Sequence, residues 1–314
     1  MKKRVGSLLF NHVKKLGIDQ GFGFDHYQEL GRLVVEKVGN RIEELHKDLV
    51  VEGRGGGLML PVGKKQQAEF FLKVAKQMSG TTNNPLIFYA GSCPDYSFDE
   101  RTGKYTHEFL GGGVPLLTRL HLDAFEGVAR VLSAHGVAFE YRVKVADVEA
   151  RDEVFANRYT SGSQDEFLAL CQSSVRATRA EIVNRFGNDQ RFVSTSFFGE
   201  FGENVFMARQ NHYQRKLECL SDEDGRFRAR VTSETLARLG LYRHMYPESD
   251  VDFLERRTMR TMAQYLALAE LVRERSGIVI NHSTINRGLF NDNGLLDESV
   301  FGVLPVFRLE RQVY

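Results

Sequence analysis

The chain has no tryptophan, only three cysteines (Cys93, Cys171 and Cys219) and only six prolines in 314 residues. Cysteines so few and so scattered exclude a disulfide framework and a cysteine-based metal cluster. Long apolar runs are missing too: no stretch approaches the roughly 18 consecutive apolar residues that a membrane span needs. Neither sign of charge dominates. Forty-two Lys and Arg stand against 41 Asp and Glu, a net charge of +1, so there is no bulk pull toward nucleic acid or anionic membrane. The first ten residues are basic and then apolar, but Asn11, His12, Lys14 and Lys15 break the run before it reads as a signal peptide. What is present is ordinary for a globular protein: 42% hydrophobic and 26% charged residues, enough for a sizeable core. The expectation is a soluble, cytoplasmic protein. At this length one large α/β domain or two smaller ones both fit.

No repeat, low-complexity tract or Pro/Gly/Ser linker divides the chain. Residues 1–80 read mainly as helix, with Leu30, Leu33, Val34, Val38, Ile42 and Leu45 recurring at three- and four-residue steps, and Lys65 to Gln77 helical again. After the turn signal Asn83-Asn84-Pro85, the continuous apolar run Leu86 to Ala90 has the length of a buried strand. Leu117, Leu120, Ala124, Val128 and Leu132 mark a helix face that Gly136 ends, and Ala138 to Ala146 alternates with the period of a strand. A further helix carries Phe167, Cys171, Val175, Thr178 and Ile182, and Val251 to Arg275 is one long helix stopped by Gly277. Ile278 to Ile280 and Val303 to Leu309 read as late strands. Strand, crossover helix, strand and helix is the rhythm of a parallel sheet. The expected fold is therefore a single α/β domain over 1–314, Rossmann-like, with a mostly parallel sheet and helices on both faces. Residues 81–314 would form its core, with extra N- and C-terminal helices.

In open parallel sheets the ligand lies beyond the carboxyl ends of the strands, so the residues after each strand are the candidates. Ser92, Cys93 and Asp95 follow the first strand and offer a hydroxyl, a thiol and a carboxylate; the structural alternative is a turn in which Asp95 bonds its own backbone. Asp147 and Glu149 follow the second strand. They would share a divalent cation, contact a substrate, or serve as helix-capping acids. Asn281, His282, Ser283, Asn286 and Arg287 follow Ile280, and His282 is the natural proton carrier by its near-neutral intrinsic pKa. The glycine runs Gly53–Gly57 and Gly111–Gly113 lack the flanking residues of a phosphate-binding loop and read as flexible lids. On the long C-terminal helix, Arg256, Arg257 and Arg260 fall opposite an apolar face of Val251, Leu254, Met262, Tyr265, Ala269 and Val272; they would clamp phosphates or lie in solvent. The order of strand, Cys93-Pro94-Asp95 loop, helix, strand and Ala146-Asp147 is loosely similar to the core order of amino-acid-derived isocyanide synthases, and no residue role is carried over from it.

The function expected from these residues is a small-molecule transferase or synthase with a polar site at the carboxyl ends of the sheet. His282, Asp147 and Glu149 would be its catalytic residues. Ser92, Cys93, Asp95, Asn281, Ser283, Asn286 and Arg287 would bind a substrate, phosphorylated or nucleotide-linked, with Arg287 holding its anion. Two other readings stay open: a non-catalytic nucleotide- or RNA-binding module using the Arg256/Arg257/Arg260 face, and a metal-dependent nucleotide-sugar transferase using Asp147 and Glu149. The residues name no cofactor, no metal, no oligomeric state and no membrane partner.

Overall fold

The apolar run after Pro85 is the central strand of a parallel sheet. The computed structural model describes residues 41–42, 44–45, 47–49, 73–80, 82–92, 97–99, 104–106, 113–114, 116–152, 163–237, 250–275 and 277–280. In chain order these give β1 (Leu86–Ser92), a short antiparallel ribbon of β2 (Ser97–Asp99) and β3 (Lys104–Thr106), α1 (Leu116–Ala134), β4 (Phe139–Val145) and a 3-10 turn (Asp147–Arg151). Then come α2 (Gln164–Phe186), β5 (Phe192–Ser196), α3 (Phe197–Phe201), α4 (Glu203–Glu223), α5 (Gly225–Ala237), α6 (Val251–Glu274) and β6 (Ile278–Ile280). The chain is an α/β protein, mostly helical around a four-stranded sheet in the order β5-β4-β1-β6. All three pairings in that sheet are parallel.

Local chemistry sets the element ends. Gly136, with φ of 67°, closes α1: its N–H reaches the Ser133 carbonyl at 3.0 Å and the Val137 N–H reaches Leu132 at 2.9 Å, with Val137 and Leu132 both buried. That double bond with an apolar contact is a Schellman stop, and the left-handed residue inside it favours glycine. Ser163 caps α2 by accepting the Glu166 N–H, and Asp250 caps α6 by accepting the Phe253 N–H at 2.6 Å. Gly277 follows α6 where the chain passes under a ring: a Cβ there would lie 2.5 Å from the Tyr89 ring.

Strand residues alternate between two apolar clusters. Leu86, Phe88 and Ala90 of β1 join Phe139, Tyr141 and Val143 of β4 and Leu122, Phe125, Val128 and Leu132 of α1. Ile42, Leu45, Leu49, Val74 and Ala75 from the N-terminal helical residues join the same cluster. Ile87 and Tyr89 join the second cluster, with Phe197 and Phe201 of α3, Phe206 of α4, Phe227 of α5 and Met262, Leu266 and Leu271 of α6. Phe125 is the hub of the first: its ring stacks on Tyr141 at 3.9 Å and meets Phe88 edge-on at 5.0 Å.

Several sequence expectations are adjusted by this packing. β5, Phe192-Val-Ser-Thr-Ser196, is a strand that periodicity does not reveal, because three of its five residues are hydroxylic. On α2 Phe167, Cys171, Thr178 and Ile182 are buried as expected, and Ser174 takes the buried place expected of Val175. On α6 Val251 is exposed, while Glu255, Thr258, Met259, Ala263, Leu266, Ala267, Leu268 and Leu271 are buried beside Leu254 and Met262. That helix lies within the second cluster and has no single apolar stripe. The ranges 1–40, 51–72 and 281–314, which include Val303 to Leu309, lie outside the described residues, as do Gly53–Gly57, Gly111 and Gly112. No helix among the described residues is long and apolar enough to cross a membrane.

Candidate functional site

The register places the ends of β1, β4 and β5 level, with β6 ending two residues short of β1. Ser92 pairs with Val145, Val145 with Ser196, and Ala90 with Ile280. Since neighbouring strands stand about 4.8 Å apart, the roots of the loops after β6, β1 and β4 span about 10 Å. The chain lays β4 and β5 to one side of β1 and then returns to place β6 on its other side. The order therefore reverses between β1 and β6.

Of the residues expected in the site, Ser92 ends β1. Cys93, Asp95, Asn281, His282, Ser283, Asn286 and Arg287 lie outside the described residues. Asp147 and Glu149 sit in the 3-10 turn directly after β4. Asp147 is buried and accepts the Phe198 N–H at 3.0 Å, with the Ser196 hydroxyl and the Phe197 amide as further donors. Burial raises its pKa, and those three hydrogen bonds oppose the rise. The Ser196 hydroxyl in turn accepts the Gly199 N–H at 3.0 Å. Asp147 and Ser196 together thus satisfy the opening turn of α3. Cys171 of α2 faces this turn; burial first, then the charges of Asp147 and Glu149, push its thiol up and keep it protonated. Among the described residues no group of three or more His, Cys, Asp or Glu is placed to hold a metal.

A second polar centre lies on the sheet face that β4 turns toward α3 and α6. Glu140, Arg142 and Lys144 alternate along that face, and Glu200 of α3 is their hub. Lys144, with no exposed side-chain surface, donates to Glu200 Oε2 at 2.6 Å and to Thr195 Oγ1 at 2.7 Å. Arg142 donates to Glu200 Oε1 at 2.8 Å and twice to Glu140 Oε2, at 2.6 and 3.0 Å. Arg275, just after α6, donates to Glu200 Oε1 and, at 2.8 Å, to the Glu200 carbonyl. The Tyr89 hydroxyl completes the group at 3.4 Å from Oε1.

Electrostatics follow from this geometry. Burial is the main cause that brings Lys144 down to about 8, and the charges of Arg142 and Arg275 act the same way against the pull of Glu200. Burial would raise Glu200, but the hydrogen bond and charge of Lys144, then Arg142 and Arg275, hold its carboxyl below the usual value. Burial and the Glu200 charge raise Tyr89. The sequence does hold a signal for this centre. Cations at alternate positions of a central strand in a parallel sheet must face a covered surface, and there they need a carboxylate. Glu200, isolated in the apolar run Phe197-Phe-Gly-Glu-Phe201, is the partner of that kind.

The arginine face of α6 is corrected by the structure. Arg257 pairs with the buried carboxylate of Asp152 at the end of the 3-10 turn. Arg260 lies 3.5 Å from the same carboxylate and donates to the Arg151 carbonyl at 3.3 Å. Two of the three guanidiniums are thus turned inward to tie α6 to the strand-end turn, and Arg256 alone is exposed. The 100° step places all three on one side, but α6 is covered on more than one side, so its polar side chains reach for buried partners. No protein-family model, curated protein or solved structure matches this chain.

Proposed function

We propose that the chain is a small-molecule transferase or synthase, acting in the cytoplasm as a single domain, with a polar site at the carboxyl ends of a Rossmann-like sheet. The observation that carries this reading is the order β5-β4-β1-β6 with all strands parallel. Its reversal between β1 and β6 is the crevice where open parallel sheets take ligands, because loops and helix N-termini converge there. The split of β1 between two clusters supports helices on both faces, with α1 on one and α3 to α6 on the other. On this reading Ser92, Cys93 and Asp95 after β1, and Asn281, Ser283, Asn286 and Arg287 after β6, bind the substrate. Arg287 holds an anionic group and His282 moves a proton. Asp147, whose carboxylate accepts the Phe198 N–H, and Glu149 are the catalytic carboxylates in the turn after β4.

Thermal-shift titration with nucleotides, nucleotide sugars and sugar phosphates tests the reading. At least one class raises the melting temperature of the wild type, since a ligand of the folded state stabilises it by mass action. Arg287→Gln removes that rise. His282→Gln keeps the binding and lowers turnover of the identified ligand by about 10²–10⁴-fold. A wild type that no member of the panel stabilises, or a rise indifferent to Arg287→Gln, overturns it.

A further inference from the structure

The Glu200 centre contains more cation than its own carboxylates satisfy. Glu200 Oε1 is approached by Arg142, Arg275 and Tyr89 together, three donors on one oxygen of a group with about two lone pairs per oxygen. Among the described residues Arg142, Lys144 and Arg275 stand against Glu140 and Glu200, which leaves one positive charge over. The two guanidiniums share a single acceptor atom and therefore lie side by side, where like charges repel. Each has five N–H donors. Among the described residues Arg142 uses three toward the two carboxylates, and Arg275 two toward Glu200 besides its hydrogen bond with the Tyr89 hydroxyl. Both also reach solvent: their side chains are 26% and 40% exposed, while Glu200 is 9% and Lys144 0% exposed. The Phe201 ring lies with its centroid 4.7 Å from the Arg275 guanidinium carbon, a cation–π contact that helps hold the side chain in place.

We propose that the paired guanidiniums of Arg142 and Arg275, backed by the buried Lys144–Glu200 pair, form a binding site for one carboxylate group of a small molecule. A planar carboxylate offers two oxygens with one negative charge. It matches the free edges of two adjacent guanidiniums and the single surplus charge, whereas a phosphate dianion would overshoot that charge. Glu200 stays in place as the inner acceptor, and the incoming carboxylate takes the solvent-side donors. The site uses none of the residues after β1 or β6, so it stands or falls apart from the strand-end reading.

The experiment is a thermal-shift titration with acetate and benzoate against chloride at constant ionic strength and pH 7, with phosphate as a further arm. The carboxylates raise the wild-type melting temperature saturably, by about 2–4 °C at tenfold excess over Kd, beyond anything chloride does. Phosphate gives the smaller shift. Arg275→Gln, at a half-exposed position where the fold tolerates the change, abolishes the shift; Arg275→Lys keeps the charge without the fork and retains only part of it. If Arg142→Gln lowers the starting melting temperature, the carboxylate-induced increment, read against the same variant in chloride, reports the site, and it is lost as well. Carboxylates equal to chloride in the wild type, a full shift surviving in Arg275→Gln, or phosphate outperforming both carboxylates would each overturn the assignment.

Discussion

The two faces of β4 are built from residues one position apart and obey opposite physics. Phe139, Tyr141 and Val143 face α1 in an apolar cluster, where stability comes from area removed from water and from ring contacts. Glu140, Arg142 and Lys144 face α3 and α6, where three cations are held by two carboxylates. The first face has nothing to titrate below the phenol of Tyr141, which burial pushes far up. The second couples its geometry to pH and to ions. A strand with one aromatic and aliphatic face and one charged, mostly covered face is a packing scaffold on one side and a network of ion pairs on the other.

The contrast is broken most severely on the apolar side. Phe125 touches rings of β1, β4 and β5, so Phe125→Ala opens a cavity that several rings line. It lowers unfolding free energy by about 3–5 kcal/mol, equally at pH 7 and pH 9, as measured by urea denaturation. A loss below 1 kcal/mol would mean that the cluster repacks freely.

On the charged side Glu200→Gln leaves Lys144 buried without an anion. Breaking such a pair costs roughly 3–5 kcal/mol, and the lower end applies here because Arg142 and Arg275 can turn to water and Lys144 can release its proton. The penalty therefore shrinks between pH 7 and pH 9. Denaturation at both values checks this, and a pH-independent loss would show that Lys144 is not the group at stake.

Lys144 itself sharpens the comparison. Folding lowers its pKa from 10.5 to about 8, so between these values the unfolded chain holds more protons than the folded one. Stability attributable to this group thus rises with pH across about 8 to 10.5. Measured as wild type minus Lys144→Met, the difference moves in favour of the wild type by roughly 2–3 kcal/mol over that window. A flat difference would contradict the burial of a charged amine.

The smallest effect returns to the apolar face. The Tyr141 hydroxyl is buried with no partner among the described residues. Tyr141→Phe keeps the stack on Phe125 and removes an unsatisfied polar atom, so it stabilises by about 1 kcal/mol. A loss of stability instead would reveal a hydrogen bond to that oxygen.

Much of the framework is decided by the sequence alone, because it rests on local rules. Leu86 to Ala90 has no charged side chain and reads as a strand covered on both faces; Ile42 and Leu45 share a helix side at a three-residue step; Gly136 stops α1 because a left-handed residue is needed there. The strand after Gly277 is equally local. The candidate site was legible only as places: the loops after β1, β4 and β6 leave the same edge of the sheet because the strands run parallel.

What only the tertiary structure decides is which charges meet. Glu200 is 56 residues from Lys144 and 75 from Arg275, and no period or spacing in the sequence relates them. Their meeting depends on β5 lying beside β4, on α3 folding back over that pair, and on α6 returning the chain to the far side of β1. The same is true of Arg257 and Arg260, which the helical wheel places outward and Asp152 draws inward. Burial makes an unpaired charge costly, so partners are selected by proximity in the folded state, and that proximity is a property of topology that local pattern does not encode.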